Sequence, residues 1–512
     1  MRNKVDAGRF ARKASSPGPL SRGEKETKEA VRRLDGRFLM PGPAEGYSHL
    51  VILGGPPGIA QAARAEGIAR RVSDTVPSEG SADALFVLAG AGVDPEEAAR
   101  CLGPGGCAWI EPASRRWQPR GDRLRVTGVY AVLPDFDRHE AYVPLDPLGA
   151  LRWYAATLQP AWTAGKALRR AFGGALLSWR LALTATVGPE DGGTILDHPA
   201  LPSPLRGMRP LLLAHGPDRV VLLPFSPGGS SPEAALKIPR LPAANGKTEA
   251  EQEVLRHFRG RLDAADRSVL PEPRGIYRAG ALSLALESYA RGRPLAQRIG
   301  SWGEPLRRKI EDLREAADWL IRFHRRTEVW RAEWDARQAD EWILEPVEEM
   351  GGLPARLLAA VRERSATLTG AILPIVCRHR DFTPWNVLRG ESGLRVIDWE
   401  GVRPGPALSD LLHFSTHWSE LALRAFDDRA RLLAFERVWI AREGGEPGKA
   451  VRREVASYCA ALRLDPLFVP LLLTATWGEL AARAGAGSRE AAYVEVLAQG
   501  ADELFRGWTD GG

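Results

Sequence analysis

The stretch HRDFTPWNVLRGESGLRVIDWE, residues 379–400, restricts the possible folds of this 512-residue chain more than any other part of it. Two short apolar runs, NVL and LRVID, flank the turn-forming letters GESG, and this pattern predicts a β-hairpin. The hairpin would place Asn386 beside Asp398 without flexible loops between them. Asp381 stands five residues before Asn386. The fold therefore has to bring two carboxylates and one amide together at a short hairpin.

These side chains have the chemistry that phosphoryl transfer from a nucleotide requires. One carboxylate must orient the attacking hydroxyl and accept its proton, and oxygen ligands must hold Mg²⁺ against the phosphates. Asp381 is the candidate base, and Asn386 and Asp398 are the candidate metal ligands. An H-x-D-x4-N match alone is a weak signal. The joint pattern is more specific, because Asp398 follows an apolar strand and Asp410 lies further on in GPALSDLLHF.

The whole segment from His379 to Phe414 resembles the core of the aminoglycoside phosphotransferase/choline kinase-like family. That family has a two-lobed, protein-kinase-like fold and phosphorylates hydroxyl groups of small molecules. The resemblance implies that Asp381 is the catalytic base and that Asn386 and Asp398 are Mg²⁺ ligands.

The same resemblance implies supporting roles around the catalytic loop. Asp410 would brace the loop and His379 would organise it. Arg380 replaces the glycine of the usual family spelling His-Gly-Asp, and we expect its side chain to point outward with little consequence. Thr383 stands where protein Ser/Thr kinases usually carry lysine, and IDWE replaces Asp-Phe-Gly. The stretch therefore indicates a small-molecule kinase and not a protein kinase.

A nucleotide site is implied upstream, with ATP or GTP as the phosphoryl donor. Lys237 in AALKIPR lies on a predicted strand where the phosphate-binding lysine of the family belongs. Its ion-pair partner would be a glutamate on the next helix. Glu251 has the usual family spacing before Leu255, and Glu249 and Glu253 are the alternatives that spacing leaves open.

Two further segments fit the same resemblance. LALESYARGRPL, residues 284–295, resembles the hinge between the lobes, where backbone groups from Glu287 to Tyr289 would contact the nucleobase. Gly292 would permit the turn that follows. SPGGSSPEA, residues 226–234, is either a loop that covers the phosphates or an ordinary surface turn.

The region from about residue 34 to residue 150 has a different pattern, in which short apolar runs alternate with helical stretches. This alternation is typical of a parallel α/β layer. ADALFVLAGAGVDPEEAARCLGPGGCAWIEP resembles the second half of a class I methyltransferase domain, and VILGGPPGIAQAA would be its Gly-rich first turn. A complete domain would need one more βα unit. The resemblance therefore implies a shortened, degenerate relative with a structural role, such as substrate presentation or contact with a protein partner.

Charge and composition exclude several other classes. Residues 1–33 contain ten Lys or Arg and four Asp or Glu, which accounts for the whole net charge of +6. We therefore expect a basic disordered tail and no nucleic-acid module. No apolar run approaches the ~20 residues of a membrane span, and no signal peptide is predicted. Four scattered cysteines without metal-ligand spacing favour a reducing compartment, so we expect a cytoplasmic protein.

The chain is thus predicted to combine an α/β N-terminal domain, with a shortened Rossmann-like sheet, and an α+β bilobal protein-kinase-like phosphotransferase fold. The predicted segments are a disordered tail 1–33, a degenerate methyltransferase-like domain 34–150, a helical connector 151–204, a kinase-like N-lobe 205–290 and a helical C-lobe with the catalytic loop 291–512.

The expected activity is ATP-dependent transfer of the γ-phosphoryl group to a hydroxyl of a small molecule, such as a sugar, an amino alcohol or an aminoglycoside-like compound. One alternative is a pseudokinase or nucleotide-binding scaffold in a biosynthetic assembly. The other is a methyltransferase with a regulatory kinase-like half.

Overall fold

The computed structural model describes residues 22–40, 46–112, 117, 119–134, 136, 139–157, 180–187, 193–214 and 216–508. Its largest feature is a twelve-stranded mixed sheet. In chain order its strands are β1 Tyr47–Leu53, β2 Ala69–Ser73, β3 Ala82–Val87, β4 Leu102–Ile110, β5 Leu124–Leu133, β6 Ala141–Pro144, β7 Arg180–Val187, β8 Arg209–Leu213, β9 Arg219–Phe225, β10 Ala234–Pro239, β11 Pro273–Ala279 and β12 Leu282–Ser288. Across the sheet the order is β11-β12-β10-β9-β8-β6-β5-β7-β4-β3-β1-β2.

Two small sheets and a set of helices complete the described chain. One three-stranded sheet contains β13 Arg293–Pro294, β16 Val387–Gly390 and β17 Gly393–Val396, and the other contains β14 Glu328–Glu333, β15 Ile372–Arg378 and β18 Arg403–Pro406. The α-helices are α1 Arg22–Arg32, α2 Ile59–Ala65, α3 Pro95–Ala98, α4 Leu148–Thr157, α5 Asn245–Arg261, α6 Ala264–Arg267, α7 Leu295–Ile299, α8 Leu306–Arg326, α9 Ala336–Ala339, α10 Ala355–Thr367, α11 Ser409–Ala422, α12 Asp428–Phe435, α13 Gly445–Leu462, α14 Phe468–Ala484, α15 Arg489–Gln499 and α16 Ala501–Gly507. Short 3₁₀ turns cover Asp35–Leu39, Ala99–Cys101, Ile195–Asp197, Ser203–Leu205, Pro242–Ala244, Glu345–Met350 and Trp399–Gly401, and π turns cover Asp340–Leu344 and Glu436–Ile440. In the part of the chain that the structure describes, no helix is both long and apolar enough to cross a membrane.

The N-terminal strands form the predicted parallel layer, but not a separate sheet. β2, β1, β3 and β4 are parallel neighbours. β7 then pairs antiparallel with β4, and β5 pairs antiparallel with β7. The sheet continues through β6 into β8, where the kinase-like strands begin. A separate Rossmann-like N-terminal domain is therefore replaced by one half of a continuous mixed sheet.

The predicted disordered tail differs from the structure in its second part. Residues 1–21 lie outside the described residues, whereas Arg22–Arg32 form α1. Ala30 and Val31 on this helix are buried, and so is Leu34 after it. These apolar side chains join the core on one face of the large sheet, which explains why the segment is helical in spite of its charge.

The predicted helical connector also differs. Residues 158–179 lie outside the description, and Arg180–Val187 form β7 instead of a helix. The segment RLALTATV alternates apolar residues with threonine and is buried over most of its length. β7 pairs with β4 on one side and with β5 on the other. This burial between two strands favours a strand, although the surrounding sequence has a helical pattern.

The antiparallel strands β8 to β12 carry two different faces. Leu222 and Leu236 point into the core that α1 also joins. Leu223 and Ala235, one residue away on the same strands, point to the opposite face. Lys237 lies on this second face because it is two residues after Ala235. The second face therefore positions the candidate site.

Two buried ion pairs join the first helical segment to the sheet. Arg240, just after β10, donates from Nε and Nη2 to the Asp35 carboxylate at 2.8 and 2.7 Å. Arg33 donates from Nη2 to Glu111 Oε2, at the end of β4, at 2.8 Å. Both pairs are almost fully buried. The N-terminal part is therefore joined to the kinase-like part by buried ion pairs as well as by strand pairing.

Candidate active site

The catalytic loop lies between β15 and the β16–β17 hairpin. The hairpin has the predicted antiparallel pairing, with Val387 opposite Val396 and Gly390 opposite Gly393. The Ile397 N–H donates to the Asn386 carbonyl at 3.0 Å. Asp398 is therefore held next to Asn386 by the backbone hydrogen bond of the residue before it.

Asp381 and Asn386 are in direct contact. Asn386 Nδ2 donates to Asp381 Oδ2 at 2.7 Å and to the Asp381 carbonyl at 3.0 Å. This hydrogen bond orients the carboxylate and leaves the amide oxygen of Asn386 for another partner. Although Asp381 is exposed, partial loss of hydration and the nearby charge of Asp398 raise the pKa of its carboxyl above the ordinary value.

Asp410 braces the start of the catalytic loop. Its carboxylate, in the first turn of α11, accepts hydrogen bonds from the backbone N–H groups of His379 at 2.6 Å and Arg380 at 2.9 Å. The His379 ring lies 3.0 Å from the Ile397 carbonyl through Nε2. Burial would raise the pKa of Asp410, but the His324 ring, whose Nε2 lies 3.4 Å from Oδ2, outweighs it and holds this pKa at about 2.

Arg380 does not point outward, as the sequence led us to expect. Its φ is 68°, in the left-handed region that favours glycine. Its side chain is buried and pairs with Glu479 on α14, with Nε at 2.8 Å from Oε1. Arg378 contacts the other oxygen of the same carboxylate at 2.8 Å. The departure from the family glycine is therefore compensated by a buried ion pair.

Lys237 is held by two carboxylates. Its Nζ lies 2.5 Å from Glu251 Oε1 and 3.0 Å from Glu287 Oε1. The Trp399 N–H, one residue after Asp398, donates to the same Glu251 oxygen at 2.8 Å. Burial alone would lower the pKa of Lys237, but the two carboxylates outweigh it and raise this pKa. Glu251 thus connects the Lys237 strand to the Asp398 segment.

The three glutamates of α5 have different surroundings. Glu251 is fully buried against Lys237. Glu249 accepts from Arg278 and Ser283 at 2.7 Å each, on the other side of the helix. Glu253 is exposed. Sequence spacing left the partner of Lys237 open among these three residues, whereas burial and contact in the structure identify it as Glu251.

The predicted hinge residues lie at the end of β12 and just after it, and their side chains contact other residues of the chain. Glu287 faces Lys237 through its side chain, and burial together with the charge of Glu251 raises its pKa to about 7 despite Lys237. The Tyr289 hydroxyl accepts from Trp153 Nε1 at 3.1 Å. Gly292 has φ 152°, and a Cβ there would meet the Arg389 backbone at 2.9 Å, so this close approach requires glycine.

Residues 226–234 are not placed to cover phosphates near Asp398. This loop connects the end of β9 to the start of β10, at the opposite end of β9 from Arg219. Gly149 on α4 packs so closely on the Gly229 carbonyl that a side chain there would clash. The connection at the Asp398 end is the one between β8 and β9, because consecutive turns of an antiparallel sheet lie at opposite ends.

Arg219, the first residue of β9, occupies this end of the site. Its guanidinium contacts Asp398 through Nη2, and Nη1 lies 2.6 Å from Glu251 and 3.1 Å from Glu400. The side chain is only 12% exposed. Burial would lower the pKa of Arg219, but Glu251, Asp398 and Glu400 together raise it.

Helix α4 covers the other end of the same sheet face. Ala150 and Tyr154 share an apolar cluster with Leu223 and Ala235. The Trp153 ring packs edge-on against Phe225 and Tyr289, with centroids 5.8 and 5.9 Å apart. This helix therefore packs against Tyr289 of the predicted hinge, on the sheet face that carries Lys237.

The donor set suits a cation that needs further ligands from a nucleotide. Among the described residues, no group of three or more His, Cys, Asp or Glu is placed as a metal site. Asn386 and Asp398 offer one amide oxygen and one carboxylate, which is the small oxygen set that Mg²⁺ uses beside substrate phosphates. The guanidinium on Asp398 further indicates that this position favours a positive charge.

Four residues near the site are missed by the sequence reasoning: Arg219, Glu400, Glu479 and Trp153. Glu400 is two residues after Asp398, so its proximity is visible in the sequence. The other three reach the site through contacts with residues far along the chain. No local pattern marks such contacts.

The segment that carries Lys237 and the catalytic loop is similar to a known protein family. Residues 225–443 match the family described as APH, phosphotransferase enzyme family. A comparison with curated proteins gave no match. The aminoglycoside phosphotransferase APH(3'')-Id from Streptomyces rimosus is 14% identical, with 56% of this chain and 89% of that chain covered at a TM-score of 0.28.

A choline/ethanolamine kinase family protein from Mesorhizobium loti is 18% identical, with 56% of this chain and 87% of that chain covered at a TM-score of 0.31. The family match itself covers the Lys237 strand, helix α5, the hinge, the catalytic loop and Asp410. Residues 225–443, in the C-terminal part of the chain, are therefore similar to the phosphotransferase enzyme family.

Proposed function

We propose that this protein transfers the γ-phosphoryl group of ATP to a hydroxyl of a small molecule. The observation that carries the proposal is the contact between Asp381 and Asn386 beside Asp398, opposite the buried Lys237–Glu251 pair. Asp381 and Asp398 supply two carboxylates, and Glu251 links the buried Lys237 to the Asp398 segment through the Trp399 N–H. That combination can orient an alcohol and hold polyphosphate charge at once.

Asp381 is the proposed base. Its raised pKa favours acceptance of the proton of the acceptor hydroxyl as that oxygen attacks the γ-phosphorus. The bond between the γ-phosphorus and the bridging oxygen breaks, and ADP leaves. The hydrogen bond from Asn386 fixes the direction of the carboxylate before the acceptor arrives.

Lys237 is the proposed ligand of the non-transferred phosphates. Glu251 fixes the position of its ammonium group and, through the Trp399 N–H, the position of the segment that carries Asp398. Asn386 and Asp398 are the residues that would hold Mg²⁺. When bound, this ion would neutralise phosphate charge during the transfer.

The acceptor class is proposed as a hydroxylated small molecule such as a sugar, an amino alcohol or an aminoglycoside-like compound. The test is a screen of such alcohols with the full chain and ATP labelled in its γ-phosphate. The proposal predicts that the label moves to at least one acceptor. Binding of Mg²⁺-ATP with no labelled product across the panel would favour the alternative, a pseudokinase or scaffold.

We propose a structural role for the N-terminal part. Asp74 follows β2 and lines a hollow with Gly54 and Gly58 at the carboxyl ends of the parallel strands, which favours the methyltransferase alternative. However, a Cβ on Gly54 would lie 2.9 Å from Ala91, so the loops after β1 and β3 are in contact and close the crevice between these strands. Calorimetric titration of the full chain with S-adenosylmethionine tests this proposal, which predicts no binding.

A further inference from the structure

The geometry points to Arg219 as a phosphate-binding residue that is stored on the metal-binding carboxylate until a metal arrives. We propose that a divalent cation displaces the guanidinium from Asp398, and that the freed group then binds the nucleotide phosphates. This inference rests on the proposed function, because it assigns a role in the same nucleotide site. It assigns a role to Arg219, a residue that lies outside the family match and that no sequence pattern indicates.

The position of Arg219 in the fold is the first support. Leu213 ends β8 and Arg219 begins β9, so only five residues connect these strands. Asp218, the last of the five, is held by Lys28 at 2.8 Å and by Lys247 at 2.5 Å. Its carbonyl accepts from the Arg240 N–H at 2.8 Å. A connection this short and fixed does not form a long glycine loop that wraps phosphates with backbone N–H groups, so the anion needs another donor.

The charges around the guanidinium are the second support. One arginine contacts three carboxylates, those of Asp398, Glu400 and Glu251. Glu251 also has Lys237, whereas the only described ion pair of Asp398 or of Glu400 is with Arg219. A divalent cation at Asp398 would supply two positive charges where the guanidinium now supplies one. The cation and the guanidinium would also repel each other at this distance.

The remaining contacts determine where the displaced group would go. Glu251 and Glu400 still hold Nη1, so Arg219 would stay tethered near Lys237 while Nη2 becomes free. Arginine presents several N–H donors in a planar fork that matches phosphate oxygens. The freed side of the guanidinium would therefore face the phosphates that Lys237 also binds.

The test compares two binding constants in the full chain, with Arg219→Ala and Arg219→Gln as variants. Mn²⁺ binding without nucleotide is measured by electron paramagnetic resonance, and ATP binding with Mg²⁺ is measured by calorimetry. Loss of the Arg219 guanidinium should tighten Mn²⁺ binding by about tenfold, because the Asp398 carboxylate is then free to bind the metal ion. Loss of the phosphate contact should weaken ATP binding by about tenfold or more. Arg219→Lys should lie between the wild type and Arg219→Ala in both measurements.

Arg278→Ala is the matched control, because this arginine lies on the same sheet and pairs with the partly exposed Glu249. It should change neither constant. The proposal is overturned if both constants weaken in the Arg219 variants, which would make Arg219 a structural brace, or if both tighten, which would make it only a competitor of the ligands. It is also overturned if either constant stays unchanged. Failure of the wild type to bind ATP would instead refute the proposed function, and the Mn²⁺ measurement would still test the storage of Arg219 on Asp398.

Discussion

Arg380 shows how one residue in the catalytic loop is stabilised by a distant helix. A non-glycine residue in the left-handed region costs roughly 1–2 kcal/mol. Here Glu479 on α14 accepts from Arg380 and from Arg378, and both arginine side chains are buried. Burial would raise the pKa of Glu479, but the two arginines outweigh it and hold the pKa well below its ordinary value. The Glu479 carboxylate therefore balances the charges of Arg378 and Arg380. It also holds the backbone immediately before Asp381 in place.

Glu479→Gln is expected to destabilise the protein by about 3 kcal/mol, because it leaves two buried guanidinium groups without a counter-charge. The free energy of unfolding in urea measures this loss. The cost should be smaller in an Arg380→Gly background, where one of the two charges is absent and the left-handed backbone is unstrained.

The control for this prediction is Asp502→Asn, which removes an exposed partner of Arg356. It should cost less than about 1 kcal/mol, as is usual for surface pairs. Equal losses in Glu479→Gln and Asp502→Asn would contradict the role assigned to Glu479.

At the scale of elements, the sequence predicts those parts whose pattern is local. The NVL and LRVID runs with their turn predict the hairpin, and α5 follows β10 as expected. Helix α1 and strand β7 could not be predicted, because both are stabilised by neighbours that the chain supplies from elsewhere. The same holds for Arg219 and Glu479, whose partners are more than 30 and nearly 100 residues away in the chain. Sequence spacing carries no information about such contacts.

Helix α4 leads to a prediction about nucleotide binding. Leu223 and Ala235 share the face of Lys237, yet they are only 4% and 8% exposed because α4 packs in their cluster. A nucleobase between the hinge and this face needs the same apolar surface, so α4 has to move when nucleotide binds. Amide hydrogen exchange in residues 148–157 should become faster with Mg²⁺-ATP than without it.

A variant at the contact with the hinge sharpens this test. Trp153→Ala removes the hydrogen bond to Tyr289 and the packing on Phe225, and it should increase nucleotide affinity by weakening the closed position of α4. Bound nucleotide with unchanged or slower exchange in residues 148–157 would show that α4 does not have to move.

At the scale of the molecule, the continuous sheet is the main feature that distinguishes the protein from a two-domain arrangement. Strand β8 pairs with β6 on one side and β9 on the other, so the kinase-like strands have no free edge there. The buried Asp35–Arg240 pair crosses the same boundary. Cooperative unfolding of the N-terminal and kinase-like parts is the consequence.

This arrangement predicts that residues 205–512 alone do not form a stable protein. Without the preceding chain, β8 becomes an exposed edge and Arg240 loses its carboxylate partner Asp35. The fragment should aggregate or melt well below the full chain in thermal unfolding. Asp35→Asn in the full chain should cost about 3 kcal/mol for the same reason, and Asp428→Asn on the surface should cost less than about 1 kcal/mol. A soluble fragment with the melting temperature of the full chain would contradict the shared core.

Phosphoryl transfer by the wild type and by Asp381→Asn tests whether the Asp381 carboxylate is the base of the proposed reaction. Both are incubated with γ-labelled ATP and the hydroxylated acceptor found in the screen, and ATP affinity is measured for both by calorimetry. Loss of the proposed base should reduce labelled product by at least about a hundredfold, because a positioned base contributes roughly 10²–10⁴-fold. ATP affinity should stay within a few-fold of the wild type, since Lys237 and Glu251 are unchanged. Near-normal transfer by Asp381→Asn would contradict the role proposed for Asp381, because the carboxylate at the centre of the site would then be dispensable.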